Sequence, residues 1–352
     1  MIRDLVRRDV VNLKNYQVHM QQCRYKMDAN ESPFDLSEDM YEKMADIVKK
    51  SRPNIYPDPM ATRLREAISE YAGVPADRIM VGNGSDDLIH GLMNSFVEKD
   101  DCVIYPEPSF SMYRIYTLIA GARPVGIPLG DEFQYDTDEF MRAVYRYSPK
   151  VVFLCTPNNP TGNTIAREDI VKVLDCVKGL LVVDEAYFEF CGNSVVELTE
   201  KYPNLVVLRT FSKAMGLAGL RVGYMISSQE VIGEMYKTKS PYNLNSLSQA
   251  IACEVLKSGS YKERVDYIVK ERDRLYMRLK EIKGVKSYPS HANFILIKVA
   301  DAEGVHRRLI EKGVLVRSFK GDPYLDDCLR VTVNTAEAND YFIEALKEIM
   351  SR

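Results

Sequence analysis

The sequence predicts an α/β protein: a three-layer large domain built on a mostly parallel sheet, followed by a smaller α+β domain. Three observations point there. From about residue 75 to 230, short apolar runs rich in β-branched residues alternate with helical patterns, the rhythm of a layered α/β domain. Several of those runs are apolar throughout rather than alternating, as strands are when helices cover both faces of a parallel sheet. Past about residue 245 the rhythm changes, and a long charged helical stretch precedes a second group of strands.

In chain order, the first group of strands reads "RIMVG" (78–82), "CVIYP" (102–106), "RPVGIPL" (123–129), "VVFLC" (151–155), "LLVVDEA" (180–186), "LVVLRTFS" (205–212) and "RVGYMIS" (221–227). Helical patterns over Asp86–Phe96, Phe110–Ala120, Asp138–Tyr147 and Arg167–Val177 fill gaps between them. The second group opens with the charged helix, about Ser260 to Ile282. It continues with "NFILIKV" (293–299), a helix near Ala302–Lys312, "VLVRSF" (314–319), "CLRVTV" (328–333) and a last helix. The first residues fit neither rhythm. The expected division is an N-terminal arm over 1–26, a large domain over 27–243 and a small C-terminal domain over 244–352.

Composition removes several classes of function. A net charge of −3 offers no basic face for nucleic acid. No stretch approaches the ~18 to 20 apolar residues of a membrane span. The opening "MIRDLVRRDVVNLKNY" mixes acids with arginines and lacks an apolar signal core, so a cytoplasmic protein is expected. The seven cysteines are scattered without a CxxC pair, and the four histidines are equally dispersed. Buried free thiols in a reducing compartment are expected, with no metal site.

In open α/β sheets, ligands gather at the carboxyl ends of the strands, and four strand ends here carry polar residues. "VGNGSDDLIHGLMNSF" (81–96) is a strand, a glycine turn and a helix opened by Ser85, whose first N–H groups suit a phosphate. Serine capping explains it as well, and Asp86 and Asp87 would repel an anion unless turned away. "CTPNNPTGN" (155–163) makes a rigid turn, but its asparagines can also face a ligand. Asp184 ends a strongly apolar run, where a carboxylate needs a cation or several donors. Tyr187 follows three residues on. Lys213 ends the next run, and a partly desolvated lysine near a second cation such as Arg221 becomes an amine nucleophile. A structural ion pair for Asp184 and an edge-strand charge for Lys213 are the plain readings of each taken alone. Together they supply an amine, an acid and a phosphate cradle, which is what pyridoxal 5′-phosphate requires.

Ordered motifs along nearly the whole chain resemble those of the fold-type-I pyridoxal-phosphate enzymes, and within them the histidinol-phosphate aminotransferase family. They are "NLKNYQ" (12–17), "MDANESPF" (27–34), "IYPDP" (55–59), "GNGSDDLI" (82–89), "EPSFSMY" (107–113), "PNNPTG" (157–162), "DEAYFEF" (184–190), "SKAMGLAGLRVGY" (212–224), "HANFIL" (291–296) and "LVRSF…CLRVTVNT" (315–335). The resemblance implies that Lys213 bonds the cofactor's aldehyde and later moves protons, while Asp184 keeps the pyridine nitrogen protonated. It implies that Asn159 and Tyr187 bond the ring's phenolic oxygen. Thr210, Ser212, Arg221 and the N–H groups of Ser85 and Asp86 would hold the phosphate. Phe110 would stack on the ring, where relatives often carry tyrosine. Tyr56 would cross a homodimer interface to the partner's phosphate. Arg330 and Arg317 would grip the substrate's anion, with Tyr16 and Asn30 near its phosphate.

The activity so implied is amino transfer between L-histidinol phosphate and 2-oxoglutarate, giving imidazole acetol phosphate and glutamate in histidine biosynthesis. An aromatic amino acid aminotransferase and a phosphothreonine decarboxylase share the core motifs and are the nearest alternatives. A transcription regulator on this fold would need an added DNA-binding module, for which the chain before the first motif is too short.

Overall fold

The computed structural model describes residues 2–11, 13 and 22–351. The strands are β1 (Tyr25–Met27), β2 (Ile79–Gly82), β3 (Cys102–Glu107), β4 (Arg123–Pro128), β5 (Val151–Cys155), β6 (Leu180–Asp184), β7 (Leu205–Thr210), β8 (Gly223–Ile226), β9 (Val285–Ser287), β10 (Phe294–Val299), β11 (Val314–Ser318) and β12 (Cys328–Thr332). The helices begin with α1 (Arg8–Val11), α2 (Glu38–Lys50), α3 (Thr62–Ala72), α4 (Ser85–Phe96), α5 (Met112–Ile119) and α6 (Thr137–Tyr147). They continue with α7 (Arg167–Cys176), α8 (Gln229–Thr238), α9 (Ser246–Ser258), α10 (Tyr261–Lys280), α11 (Ala302–Glu311) and α12 (Ala336–Met350).

Seven strands form one sheet in the order β2-β8-β7-β6-β5-β3-β4. Strands β3 to β7 pair in parallel with β4 at one edge, while β8 runs antiparallel to both β7 and β2. The central strands β5, β6 and β7 are buried at every position, which is why they read as unbroken apolar runs. Each strand feeds two cores. Val182, Val206 and Phe153 face a layer holding Leu88, Leu92, Tyr113 and Ile232 from α4, α5 and α8. Their neighbours Leu181, Val183, Leu205 and Val207 face Phe140, Ile170 and Leu174 from α6 and α7. That is the three-layer arrangement.

The second sheet has five strands in the order β1-β11-β12-β10-β9. Its edge comes from the start of the chain: β1 lies parallel to β11, with Tyr25 opposite Val314 and Met27 opposite Val316. Residues 25–27 thus close the C-terminal sheet, and the segment after them is delivered to the large sheet's strand ends. Helix α10 lays Val265, Ile268, Leu275 and Leu279 inward at helical spacing, which leaves most of its charges outside, Glu271 and Arg272 being buried. Asp136 caps α6 by accepting from the N–H of Glu139 at 2.9 Å, and Thr335 caps α12 in the same way.

The structure corrects the start of α4. Gly84, at φ 84°, holds the cap position without a side-chain bond, and Ser85 is the first helical residue. The cap N–H groups there are left for something else.

Candidate active site

The site lies where β5, β6 and β7 end, between the two sheets. Asp184 closes β6 and is 4% exposed. Its Oδ2 accepts from the Tyr113 hydroxyl at 2.7 Å and its Oδ1 from the Ala186 N–H at 3.0 Å. No cation forms an ion pair with it among the described residues. Burial pushes its carboxyl up to about 6, against the pull of the Tyr113 and Ala186 donors.

Lys213 follows β7. Its Nζ donates to the Ala29 carbonyl at 3.0 Å and lies 5.8 Å from the centre of the Tyr187 ring. Burial foremost, then the nearby guanidiniums of Arg330 and Arg221, brings its ammonium down to about 8. About a tenth of the amine is then neutral at pH 7, far more than for an ordinary lysine.

At the start of α4 the backbone approaches too closely for side chains. A Cβ on Gly84 would lie 2.5 Å from Arg221 Nη2, and one on Gly223 would lie 2.4 Å from the Ser85 nitrogen. Arg221 itself adopts the left-handed conformation, φ 53°, uncommon for a large side chain. Its guanidinium then stands over the helix start and pairs with Asp86 at 3.1 Å. Asp87 is turned back, accepting from the Asn83 N–H and from Asn243 Nδ2, both at 2.9 Å. The two acids therefore do not oppose an anion at the Ser85 and Asp86 N–H groups. Thr210 and Ser212 are buried close by, linked by a 3.1 Å bond from the Ser212 N–H to Thr210 Oγ1.

The two asparagines of the 157–162 turn divide the work. Asn158 is fully buried and holds the turn, accepting from the Ser109 hydroxyl at 2.6 Å and donating to Thr161 at 2.7 Å. Asn159 accepts from Arg330 Nη1. Arg330 also donates to the Asp28 carbonyl at 2.6 Å, and Arg317 is its direct partner across β11 and β12. Two guanidiniums so placed suit an anion.

Tyr187 is buried, packs edge-on against Phe294 and accepts from Asn30 Nδ2 at 3.0 Å. Asn30, expected beside the substrate's phosphate, bonds Tyr187, and its Oδ1 accepts from the Thr332 hydroxyl at 3.2 Å. Phe110 sits beside the site, edge-on to Tyr113 at 5.6 Å. Tyr56 is 76% exposed, stacked on Tyr242 at 4.3 Å. Tyr16 lies outside the described residues. Sequence reasoning missed Tyr113, although it stands one turn along from Phe110, and it missed the backbone carbonyls of Asp28 and Ala29.

An amine lowered into the nucleophilic range, a buried acid without an ion-pair partner among the described residues and a backbone cradle suited to phosphate, at the ends of a parallel sheet, are the features a covalently held aldehyde cofactor requires. The comparisons agree. Residues 25–346 match the family model for aminotransferase class I and II, and the chain belongs to that family. It is 52% identical over 351 residues to the histidinol-phosphate aminotransferase of Caldanaerobacter subterraneus subsp. tengcongensis, covering all of both chains. It is 51% identical to that of Thermoanaerobacter pseudethanolicus, over 99% of this chain and all of the relative. Among solved structures, the histidinol-phosphate aminotransferase of Sinorhizobium meliloti in complex with pyridoxal 5′-phosphate superposes with a TM-score of 0.86 at 25% identity, covering 94% of this chain and 92% of that one.

Proposed function

We propose that this chain transfers the amino group of L-histidinol phosphate to 2-oxoglutarate, with pyridoxal 5′-phosphate as the carrier and Lys213 as its attachment point. One observation carries the cofactor reading: a buried Asp184 without an ion-pair partner among the described residues closes β6, and an amine lowered to about 8 follows the adjacent strand β7. The residues fit this cofactor. Asp184 suits a protonated ring nitrogen, Lys213 an aldehyde, and the glycine-lined cradle at α4 a phosphate.

When bound, the cofactor supplies a protonated ring that takes up the electron pair of the substrate's Cα–H bond. The protein supplies the rest. Lys213 Nζ, as a neutral amine, accepts the proton lost from Cα. The Asp184 carboxylate holds the proton on the ring nitrogen in a site that excludes water. Tyr187 Oη already accepts from Asn30, so its own proton is free to donate to the ring's phenolic oxygen, which Asn159 would also bond. Arg221, Thr210, Ser212 and the first N–H groups of α4 hold the phosphate, while Phe110 covers a ring face. Arg330 and Arg317 receive the anionic group of either substrate, since a guanidinium fork accepts carboxylate or phosphate.

We further read the chain as a homodimer. Tyr56 and Tyr242 form an outward-facing aromatic stack, and Ile55 and Met60 beside Tyr56 are also exposed. An exposed apolar group of this kind marks a protein interface, and it supports Tyr56 reaching the second copy's phosphate. Seven cysteines with no disulfide among them support a cytoplasmic setting.

The test is a spectrum of the cofactor-loaded enzyme mixed with L-histidinol phosphate alone. The band of the lysine-bound cofactor should give way to that of the aminated cofactor, and 2-oxoglutarate should restore it. A band unmoved by histidinol phosphate, but moved by phenylalanine or phosphothreonine, would overturn the substrate.

A further inference from the structure

Resting on the cofactor site proposed above, we propose that Tyr113 is a positioning residue for Asp184: its hydroxyl fixes the carboxylate and keeps it ionised for the ring nitrogen. Tyr113 is wholly buried on α5, and its ring stacks on Phe153 at 4.5 Å, 11° from parallel. Packing alone does not require the oxygen, because phenylalanine would stack equally well. A buried hydroxyl costs free energy unless it finds a partner. This one finds it at Asp184 Oδ2, 2.7 Å away.

The direction of the bond is settled by chemistry. Burial and the neighbouring carboxylate raise the Tyr113 phenol well above its ordinary range, so its proton stays on the oxygen and is donated. Asp184 then has one donor on each oxygen, Tyr113 on Oδ2 and the Ala186 N–H on Oδ1. A carboxylate has about four lone-pair sites, so each oxygen keeps one for the ring.

The other titratable groups around Asp184 offer it no second side-chain donor. Asp86 of α4 and Glu185 beside it favour its protonated form. Cys155 at the end of β5 points its thiol to the Pro157 carbonyl, Tyr135 bonds the Cys155 carbonyl, and Tyr187, whose hydroxyl oxygen accepts from Asn30, makes no hydrogen bond to Asp184 among the described residues. Burial already lifts Asp184 to about 6, and the Tyr113 hydrogen bond acts against that lift. Without the hydroxyl the carboxylate becomes more basic and draws the proton off the ring.

Two substitutions test this with cofactor labelled by ¹⁵N in the ring. Tyr113→Phe keeps the stack and removes only the donor, and 3,5-difluorotyrosine at position 113 makes the donor stronger. In the phenylalanine variant the ¹⁵N signal at pH 7 should move towards the unprotonated ring. The acid limb of cofactor binding should rise by about one pH unit, tenfold in the proton equilibrium. The fluorinated protein should shift both readouts the opposite way. Thermal melting checks that each variant is folded. If folded variants leave signal and binding limb unmoved while the unsubstituted enzyme shows a protonated ring, Tyr113 only packs, and the cofactor site stands. An unsubstituted enzyme that binds no cofactor overturns both.

Discussion

Asp184 and Glu185 are consecutive carboxylates at the end of one strand, and they meet opposite fates. Glu185 is wholly buried on one face of the sheet, paired with Arg209 at 2.9 Å, and accepts from the Ser194 hydroxyl at 2.9 Å and the Val195 N–H at 2.7 Å. The Arg209 guanidinium in turn lies 3.6 Å from the centre of the Phe188 ring. Asp184, on the other face, is nearly as buried but has only two neutral donors. A buried charge that serves the fold is neutralised by the chain itself. A buried charge left without its counter-ion is held for a ligand.

The sharpest way to break this contrast is to remove each negative charge in turn. Asp184→Asn should lower turnover by about 10³-fold, within the usual range for losing a catalytic proton partner, and leave the melting temperature equal or higher. Glu185→Gln should do the reverse, costing about 3 kcal/mol of stability by stranding Arg209, with turnover nearly kept where the protein is folded. The pH dependence follows from the sign of the shift. In the folded protein Asp184 binds its proton more tightly than in the unfolded chain, its pKa raised from 3.8 to about 6. Ionising it therefore costs stability. The penalty is absent below the unfolded value, grows as pH rises, and is complete above about 6. Cofactor-free protein should lose this increment across that window, and Asp184→Asn should not. Denaturant unfolding at several pH values reads both.

A smaller effect concerns the amine. Trace acylation followed by peptide mapping should find Lys213 half-reactive near pH 8 in cofactor-free protein. Arg330→Met removes a cation that lowers this value, so the midpoint should rise, by about half a unit to one unit. A midpoint in the ordinary lysine range, unmoved by the substitution, would show that Lys213 is an ordinary surface-type amine.

Much of this was legible in the sequence because its causes are local. Strands β5, β6 and β7 announce themselves as apolar runs, Asp184, Tyr187 and Lys213 stand at or just past strand ends, and Arg221 stands just before β8. What stayed hidden depends on distant pairings. The bonds of Asn30 to Thr332 and Tyr187, 302 and 157 residues away, leave no local mark in the sequence. Strand β1 is three residues long, with only Met27 buried, too short to show a period, and it exists because β11 offers an edge. Helices α2, α3 and α9 were not anticipated either; α2 is amphipathic but buries only Met40, so its periodicity is faint beside its charges. Tyr113 carries no local mark beyond its place in "EPSFSMY". Only the strand carrying Asp184 turns it into a donor.

The most direct test of the central claim is to reduce the cofactor-loaded enzyme with borohydride, digest it and map the phosphopyridoxyl group by mass spectrometry. The group is expected on the peptide containing Lys213 and on no other lysine. A label at a different lysine, or a protein that takes up the cofactor without a reducible bond to Lys213, would contradict the account.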